Sequence, residues 1–363
     1  MGIASGIRSE FALRHRRRGR QWLSFLLLGS SLGTGLGTLF GTLLGTLLGT
    51  TAHAQTCQTA ADMDASGRTA LETAAKRYFE MSAHGDAAAL RQNSIAAVAS
   101  SFAGIEAAVK ENQAALTGAK ATVRPPFLLS VEGSEPLARA EFLCGVFGKS
   151  GQTKDSAEFV LPNLPPGKYG LTILDVNGPQ GARTLTFVLQ QTGVDWKRAG
   201  FNAKSSQVAG HDATWFIQRA RDFKAKAQNR NAWLYYREAM ALSAPVDFMQ
   251  TLATDQLYDE FQAAQPSDMP ADGHAVDISA GSKVYHLTEI FLLATGDELD
   301  VEVNYQAADV SDTARTFKEN VAVIKALVTK YPEFREAFAG VVARAVEPSG
   351  RDYGSLVAMK DIK

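Results

Sequence analysis

The chain has 363 residues, of which 45% are hydrophobic and 21% are charged, a composition typical of globular proteins. At roughly 100–200 residues per domain, this length allows two or three domains. The net charge of −1 is unevenly distributed, because residues 1–54 hold six arginines and one glutamate and leave 31 basic and 37 acidic residues in 55–363. An acidic body without a basic stripe lacks the charge pattern that nucleic-acid binding requires. We therefore do not expect nucleic acid as a partner.

The first 54 residues have the three parts of a secretory signal peptide. The arginines precede an uncharged stretch from Trp22 to Ala52, which leads into the small-x-small site Ala52-His53-Ala54. Cleavage after Ala54 would leave Gln55 as the first residue. The uncharged stretch is longer than a usual signal core, so an uncleaved N-terminal membrane helix is the alternative. In both cases residues 55–363 are predicted to be exported, as a periplasmic, secreted or anchored body.

Two cysteines, Cys57 and Cys144, both follow the predicted cleavage site. In an oxidising compartment such a pair can form a disulfide, which would stabilise the fold by roughly 4–5 kcal/mol on the chain-entropy model. Cys57, however, lies in residues 55–66, which we expect to be a mobile leader. The sequence leaves both the bridged and the free state open.

The sequence of residues 67–205 predicts helices followed by an antiparallel sheet. The first helix is indicated by a stripe at helical spacing, formed by Leu71, Ala74, Ala75, Tyr78, Phe79 and Ser82. Helices at Ala87–Asn93 and Ile95–Leu116 follow. Beyond Arg124-Pro125-Pro126 the chain has six β-rich runs separated by turn residues, at 127–131, 138–147, 156–161, 169–176, 183–190 and 196–202.

Beyond residue 205 the helical spacing returns before a second sheet. We expect a helical region at 210–264, whose third helix runs from Pro245 to about Phe261, and a linker at 265–274. In the last segment, 275–363, the predicted elements are strands at 275–278, 284–294 and 299–306, a helix at 311–331 that resumes at 334–345, and a strand at 355–362. The predicted fold class is α+β, with helices followed by a curved antiparallel sheet, then a helical hairpin region and a small C-terminal α+β unit.

The opening helices and the last strand of residues 67–205 resemble those of the nuclear-transport-factor-like family, whose cone-shaped fold also occurs in polyketide cyclases and ketosteroid isomerase. The resemblance is carried by Ala75-Lys76-Arg77-Tyr78-Phe79, Gly85-Asp86 and Leu90, and by Trp196-Lys197-Arg198-Ala199-Gly200-Phe201. It implies an apolar pocket between helices and sheet, in which enzymes of the family place a carboxylate or a histidine. The residues whose predicted positions could reach such a pocket are Tyr78, Glu141 and Asp175, with no role assigned to any of them.

A second resemblance leaves the sheet topology open. The run Asn163-Leu164-Pro165-Pro166-Gly167-Lys168-Tyr169 is similar to the hairpin of prealbumin-like sandwiches.

Residues 213–246 resemble a single tetratricopeptide repeat, in which small and aromatic side chains let two helices pack closely. The matching positions are Ala220, Phe223, Ala232, Tyr236 and Ala239. Since about three repeats are needed for a free-standing solenoid, we expect this hairpin to pack against the sheets. An exposed apolar stripe through Trp233, Tyr236 and Met240 would instead make it an interaction scaffold.

Motifs of known catalytic chemistry are absent from the sequence. It contains no His-Glu-x-x-His zinc motif and no Gly-x-Ser-x-Gly nucleophile elbow. Gly148-Lys149-Ser150 is similar to the end of a phosphate loop, but Leu143 occupies the position of the opening glycine. Two distant cysteines are too few for a structural zinc site. We therefore predict no cofactor and no metal.

The histidines and carboxylates have structural explanations. We expect His84 to lie at a helix end, His211 to help cap a helix, and His286 to face solvent or pair across a sheet. The residues Asp272, His274 and Asp277 could ligate a metal, but their linker position favours an exposed turn. Asp300 and Glu302 would point to one side of a strand, where they could bind calcium or act as acid and base, although a solvated strand face explains them equally well.

These observations favour an exported protein that binds, without catalysis, a partner protein or an apolar small ligand in the cell envelope. Two alternatives remain: a cyclase- or isomerase-type enzyme that uses a pocket acid in the N-terminal domain, and a scaffold that docks through the helical hairpin.

Overall fold

The computed structural model of the protein describes residues 55–147, 151–271 and 273–363. The predicted signal peptide, the Gly148-Lys149-Ser150 run and Asp272 lie outside these residues. Within the described ranges, none of the helices is long and apolar enough to cross a membrane. The fold is α+β, with helices packed on mainly antiparallel sheets.

Four helices follow the first strand of the described chain. The carboxylate of Asp64 caps the first helix by accepting a hydrogen bond from the backbone N–H of Gly67 at 2.6 Å. That helix buries all six residues of the predicted stripe, which confirms the helical spacing. The predicted helix Ile95–Leu116 is instead two helices, because the backbone leaves the helical conformation at Ser101 (φ −120°, ψ 42°). The helices are α1 (Ala65–Ala83), α2 (Ala87–Gln92), α3 (Ala96–Ser100) and α4 (Ala103–Leu116).

A six-stranded antiparallel sheet, called sheet A, supports these helices. Its order is β1-β3-β6-β7-β8, with β2 also paired to β6. Successive side chains of a strand point to opposite faces, so Leu174 and Val176 face the helices whereas Leu171 and Ile173 face away from them. The strands of this half of the chain are β1 (Gln55–Gln58), β2 (Lys120–Val123), β3 (Phe127–Val131), β4 (Leu137–Cys144), β5 (Ala157–Leu164), β6 (Gly167–Gly178), β7 (Gly181–Thr192), β8 (Asp195–Ser205), β9 (Gln207–Val208) and β10 (His211–Asp212).

The other face of sheet A is covered by sheet B, which consists of β4, β5 and a later strand, β11 (Met249–Thr251). Residues 55–58, predicted as part of a mobile leader, instead form β1 and pair with β3 from Gln55 opposite Val131 onwards. Cys57 on β1 and Cys144 on β4 form a disulfide that joins the two sheets, with Cα atoms 5.1 Å apart. A disulfide is compatible with an oxidising, extracytoplasmic compartment.

The helices α5 (Ala213–Ala225) and α6 (Asn229–Ser243) form the predicted hairpin. Trp233 and Tyr236 are buried, and Met240 is partly buried against the same core, so the apolar stripe that a docking scaffold would need is covered. The third helix begins later than predicted, since β11 comes first. Thr251 and Thr254 then form a capping box that starts α7 (Leu252–Ala264).

The C-terminal part is a five-stranded sheet whose strands follow one another in sequence order. The predicted helix at 334–345 is wrong beyond Ala337, because Gly340–Val346 is a strand that pairs in parallel with its predecessor. A strand that is buried on both faces has a continuous run of apolar residues in its sequence. Hydrophobic periodicity alone cannot distinguish such a run from a segment of a buried helix. The elements are β12 (Val276–Ala280), β13 (Lys283–Thr295), β14 (Glu298–Gln306), α8 (Thr313–Lys330), α9 (Phe334–Ala337), β15 (Gly340–Val346), β16 (Asp352–Ala358) and a short 3-10 helix (Met359–Asp361).

The helical hairpin and the C-terminal sheet share one hydrophobic core. The buried hydroxyl of Tyr235 on α6 donates to the carbonyl oxygen of Ala337 on α9 at 2.8 Å. Asn231 Nδ2 on the same helix donates to the carbonyl oxygen of Glu333 at 2.8 Å. These bonds fix α6 against α9, and a surface cleft between α5 and the β13–β14 turn lies beside them.

Candidate functional site

The three residues predicted to reach an N-terminal pocket lie in separate places. Tyr78 is fully buried on α1, and its hydroxyl lies 2.7 Å from the carbonyl oxygen of Asn93 and 2.9 Å from that of Trp196. Burial raises the pKa of this phenol. Because it ties α1 to the end of α2 and to β8, Tyr78 has a structural role.

Asp175 and Glu141 are engaged in ion pairs on other surfaces. Asp175 receives two hydrogen bonds from Arg124, at 2.9 and 2.6 Å. Glu141 is exposed on β4 and pairs with Arg139 at 2.6 Å. The structure therefore does not assemble these residues into one site.

Arg198 is the unexpected residue of the N-terminal half, since its side chain is completely buried between β8 and the helices. Its Nε and Nη2 atoms donate to Ser94 Oγ at 3.2 and 2.9 Å, and its guanidinium carbon lies 5.0 Å from the centre of the Phe102 ring. Among the described residues no carboxylate pairs with it, and its Nη1 has no acceptor. Burial lowers the pKa of Arg198 to about 10.

A β-bulge explains why sequence patterning did not identify Arg198. The pairing between β7 and β8 shifts at Val188–Leu189, so that Leu189 lies opposite Arg198 while Phe187 lies opposite Phe201. If β7 and β8 paired without this bulge, side chains would alternate strictly along β8, and Arg198 would lie on the opposite face of the sheet from Phe201.

The histidines behave only partly as predicted. His84 follows α1, and its Nδ1 lies 2.7 Å from the carbonyl oxygen of Glu80. His286 pairs across the sheet, with its Nδ1 2.5 Å from Asp277 Oδ1. His274 forms an isolated bridge with Ala271. In the described part of the chain, no three His, Cys, Asp or Glu side chains are arranged to hold a metal ion.

Asp300 and Glu302 do not form a solvated strand face. They are 2% and 3% exposed. Asp300 accepts a hydrogen bond from Thr295 Oγ1 at 2.7 Å, and Glu302 is paired with Arg344 at 2.5 Å. Their partners lie within the sheet, so both carboxylates are structural.

A surface groove of about 510 Å³ lies between α5, the β13–β14 turn and the α9–β15 segment, and it is called here the aromatic cleft. On one side, the rings of His211 and Trp215 are stacked, with centroids 3.7 Å apart and planes 7° apart. The buried rings of Tyr235 and Phe338 also line the cleft. His211 was predicted to help cap a helix, but the cap is the next residue, Asp212.

Local sequence accounts for both sides of the aromatic cleft. Asp212 accepts a hydrogen bond from the backbone N–H of Trp215 at 2.9 Å, which starts α5 and places Trp215 in its first turn, beside His211. On the other side, Gly296 has φ +64° and allows the two-residue turn between β13 and β14. That turn presents Asp297 and Glu298 to the cleft.

The charges of the aromatic cleft are predominantly negative. Four carboxylates line it, against the single guanidinium of Arg219, which lies 4.6 Å from the centre of the Phe223 ring. Among the described residues, Asp297 and Glu298 take part in no ion pair. The other two carboxylates have partners: Glu336 pairs with Lys226, and Asp222 accepts a hydrogen bond from Gln218 at 3.0 Å. Aromatic faces and unpaired carboxylates together favour a cationic group.

Comparison with known proteins gives no family for this chain: no family model, no curated protein and no solved structure matches it.

Proposed function

We propose that this chain is an exported protein that binds, without catalysis, a positively charged segment of a partner protein in the aromatic cleft. The observation that carries the proposal is the pair of unpaired carboxylates, Asp297 and Glu298, in the same groove as the His211–Trp215 stack. Lysine and arginine side chains offer both an apolar stem for the rings and a cation for the carboxylates.

Export is supported by the uncharged N-terminal stretch, which follows a cluster of arginines, and by the Cys57–Cys144 disulfide. Either a cleaved signal peptide or a retained membrane helix would place residues 55–363 outside the cytoplasm. The partner would therefore be another protein of the envelope or the exterior.

The energetics favour a segment over a single amine. An exposed cation–π contact contributes about 0.5–1 kcal/mol and an exposed ion pair about 0.2–1 kcal/mol. One cation that makes all of these contacts would gain roughly 1–3 kcal/mol, which is less than the 4.1 kcal/mol of a millimolar complex. Several basic side chains on one partner are needed for useful affinity.

The test is the binding of a fluorescein-labelled lysine decapeptide to the purified protein at low ionic strength, measured by anisotropy. We expect Asp297→Asn combined with Glu298→Gln to weaken binding roughly tenfold, because both substitutions keep the shape and remove the charge. The matched control combines Asp195→Asn and Glu135→Gln, two exposed carboxylates of the N-terminal half, at the start of β8 and in the loop between β3 and β4. It changes the net charge equally and should alter the affinity less than twofold.

The control separates the cleft from general attraction to an acidic protein. Equal weakening by both double variants, or equally tight binding of a glutamate decapeptide, would contradict the proposal. Complete displacement of the peptide by spermidine at the same concentration of positive charge would contradict the assignment to a protein segment.

A further inference from the structure

A second groove lies between β12 and the C-terminal half of α8. It measures about 740 Å³ and is called here the edge groove. It shares no lining residue with the aromatic cleft, and its chemistry is different.

One wall of the edge groove is a strand with an open edge. β12 pairs with β13 from Val276 opposite Leu287 to Ala280 opposite Lys283. Within the described residues no strand pairs with its other edge. An unpaired edge presents a row of backbone N–H and C=O groups to which another extended chain can bind.

The other wall is formed by α8, which contributes small and basic side chains to the lining. Ala322 and Ala326 are small, so side chains of an added strand have room above the helix. Lys325 and Lys330 also line the groove, and Lys330 Nζ lies 3.4 Å from the carbonyl oxygen of Asp277. The Asp277 carboxylate is already bound to His286, at 2.5 Å. The two lysines therefore give this groove a positive charge.

The charge decides between two occupants. A second copy of this chain, paired edge to edge, would bring its own Lys325 and Lys330 towards the same lysines, and like charges that face each other are destabilising. An extended segment with acidic side chains would pair with the lysines instead. We infer that the edge groove binds an acidic, extended segment of another protein, which adds to β12 as a sixth strand of the C-terminal sheet.

The experiment selects binders from a phage-displayed library of random dodecapeptides on the purified full chain and measures the affinity of the synthetic consensus peptide. The expected consensus alternates β-branched with acidic residues. Ser279→Pro should abolish binding, because proline removes a backbone donor and fits poorly within a paired strand. Lys325→Glu, which leaves the backbone intact, should weaken binding at least tenfold.

The control is Lys318→Glu on the same helix, which is exposed and does not line the groove, and it should change the affinity less than twofold. Hydrogen exchange at the amides of β12 should slow when the peptide binds. A consensus without acidic residues, no enriched peptide, or equal binding to the wild type and Lys325→Glu would overturn the inference. The Asp297→Asn, Glu298→Gln variant should bind this peptide normally, so the inference and the proposed function can fail separately.

Discussion

Cys57 and Cys144 connect the first strand of sheet A to the outer strand of sheet B, with their Cα atoms 5.1 Å apart and 87 positions separating them in the sequence. A cross-link over such a distance removes many conformations from the unfolded chain. It also fixes β1, a four-residue strand at the edge of sheet A.

Replacement of both cysteines by alanine should lower the free energy of unfolding by about 2–5 kcal/mol. Alanine suits the site because Cys144 is fully buried. The measurement is urea denaturation with and without a reductant. The reductant should destabilise the wild type by a similar amount and leave the double variant unchanged; a wild type that is insensitive to complete reduction would contradict the prediction.

Arg198→Met should raise the free energy of unfolding by about 1–3 kcal/mol at pH 7. The arginine is buried without a carboxylate partner, and burial lowers its pKa to about 10, so its charged form is disfavoured in the fold. Methionine fills similar space without a charge. Thermal and urea unfolding measure the effect, and a loss of more than 1 kcal/mol would show that the bonds to Ser94 outweigh the burial of the charge.

Lys204 should make stability depend on pH above neutrality. Its ammonium group donates to the carbonyl oxygens of Ala241, at 2.6 Å, and Ala244, at the C-terminal end of α6. Burial lowers the pKa of Lys204 from 10.5 to about 8. Between pH 8 and 10.5 the unfolded state therefore binds more protons than the folded state, and stability contributed by this group rises with pH.

The measurement compares the wild type with Lys204→Met, by urea unfolding from pH 7 to 9.5. Relative to the variant, the wild type should gain roughly 1 kcal/mol over this range, after allowance for solvent screening of a partly exposed group. If the wild type gains no stability relative to the variant, or loses stability relative to it, as the pH rises, the charged form is favoured in the fold.

Local patterns predicted much of the fold. The stripe from Leu71 to Ser82 is buried as its spacing indicates, and all six predicted strands between residues 127 and 202 exist. The predictions failed for segments whose structure depends on strands that are distant in the sequence. Residues 55–58 form a strand by pairing with β3 and are also held by the Cys57–Cys144 disulfide, and 340–346 forms a strand because β14 and β16 lie on either side of it.

Sequence patterns could not predict the candidate site for the same reason. His211 and Trp215 are close in sequence, but Asp297 and Glu298 reach the same groove only through the packing of the hairpin on the C-terminal sheet. The available signals were the Asp212 cap, which places Trp215 in the first helical turn, and the Gly296 turn, which presents the two carboxylates. Neither signal indicates that the two segments meet.

Binding of a cationic segment in the aromatic cleft is tested most directly by the indole N–H resonances of the isotope-labelled protein during titration with the lysine decapeptide. Residues 55–363 contain three tryptophans, Trp196, Trp215 and Trp233, and Trp215→Phe assigns the second of them. We predict that the Trp215 resonance shifts with saturation while the other two stay in place, and that the shift is lost in the Asp297→Asn, Glu298→Gln variant. A Trp215 resonance that does not move while the peptide binds would contradict the assignment of the partner to this cleft.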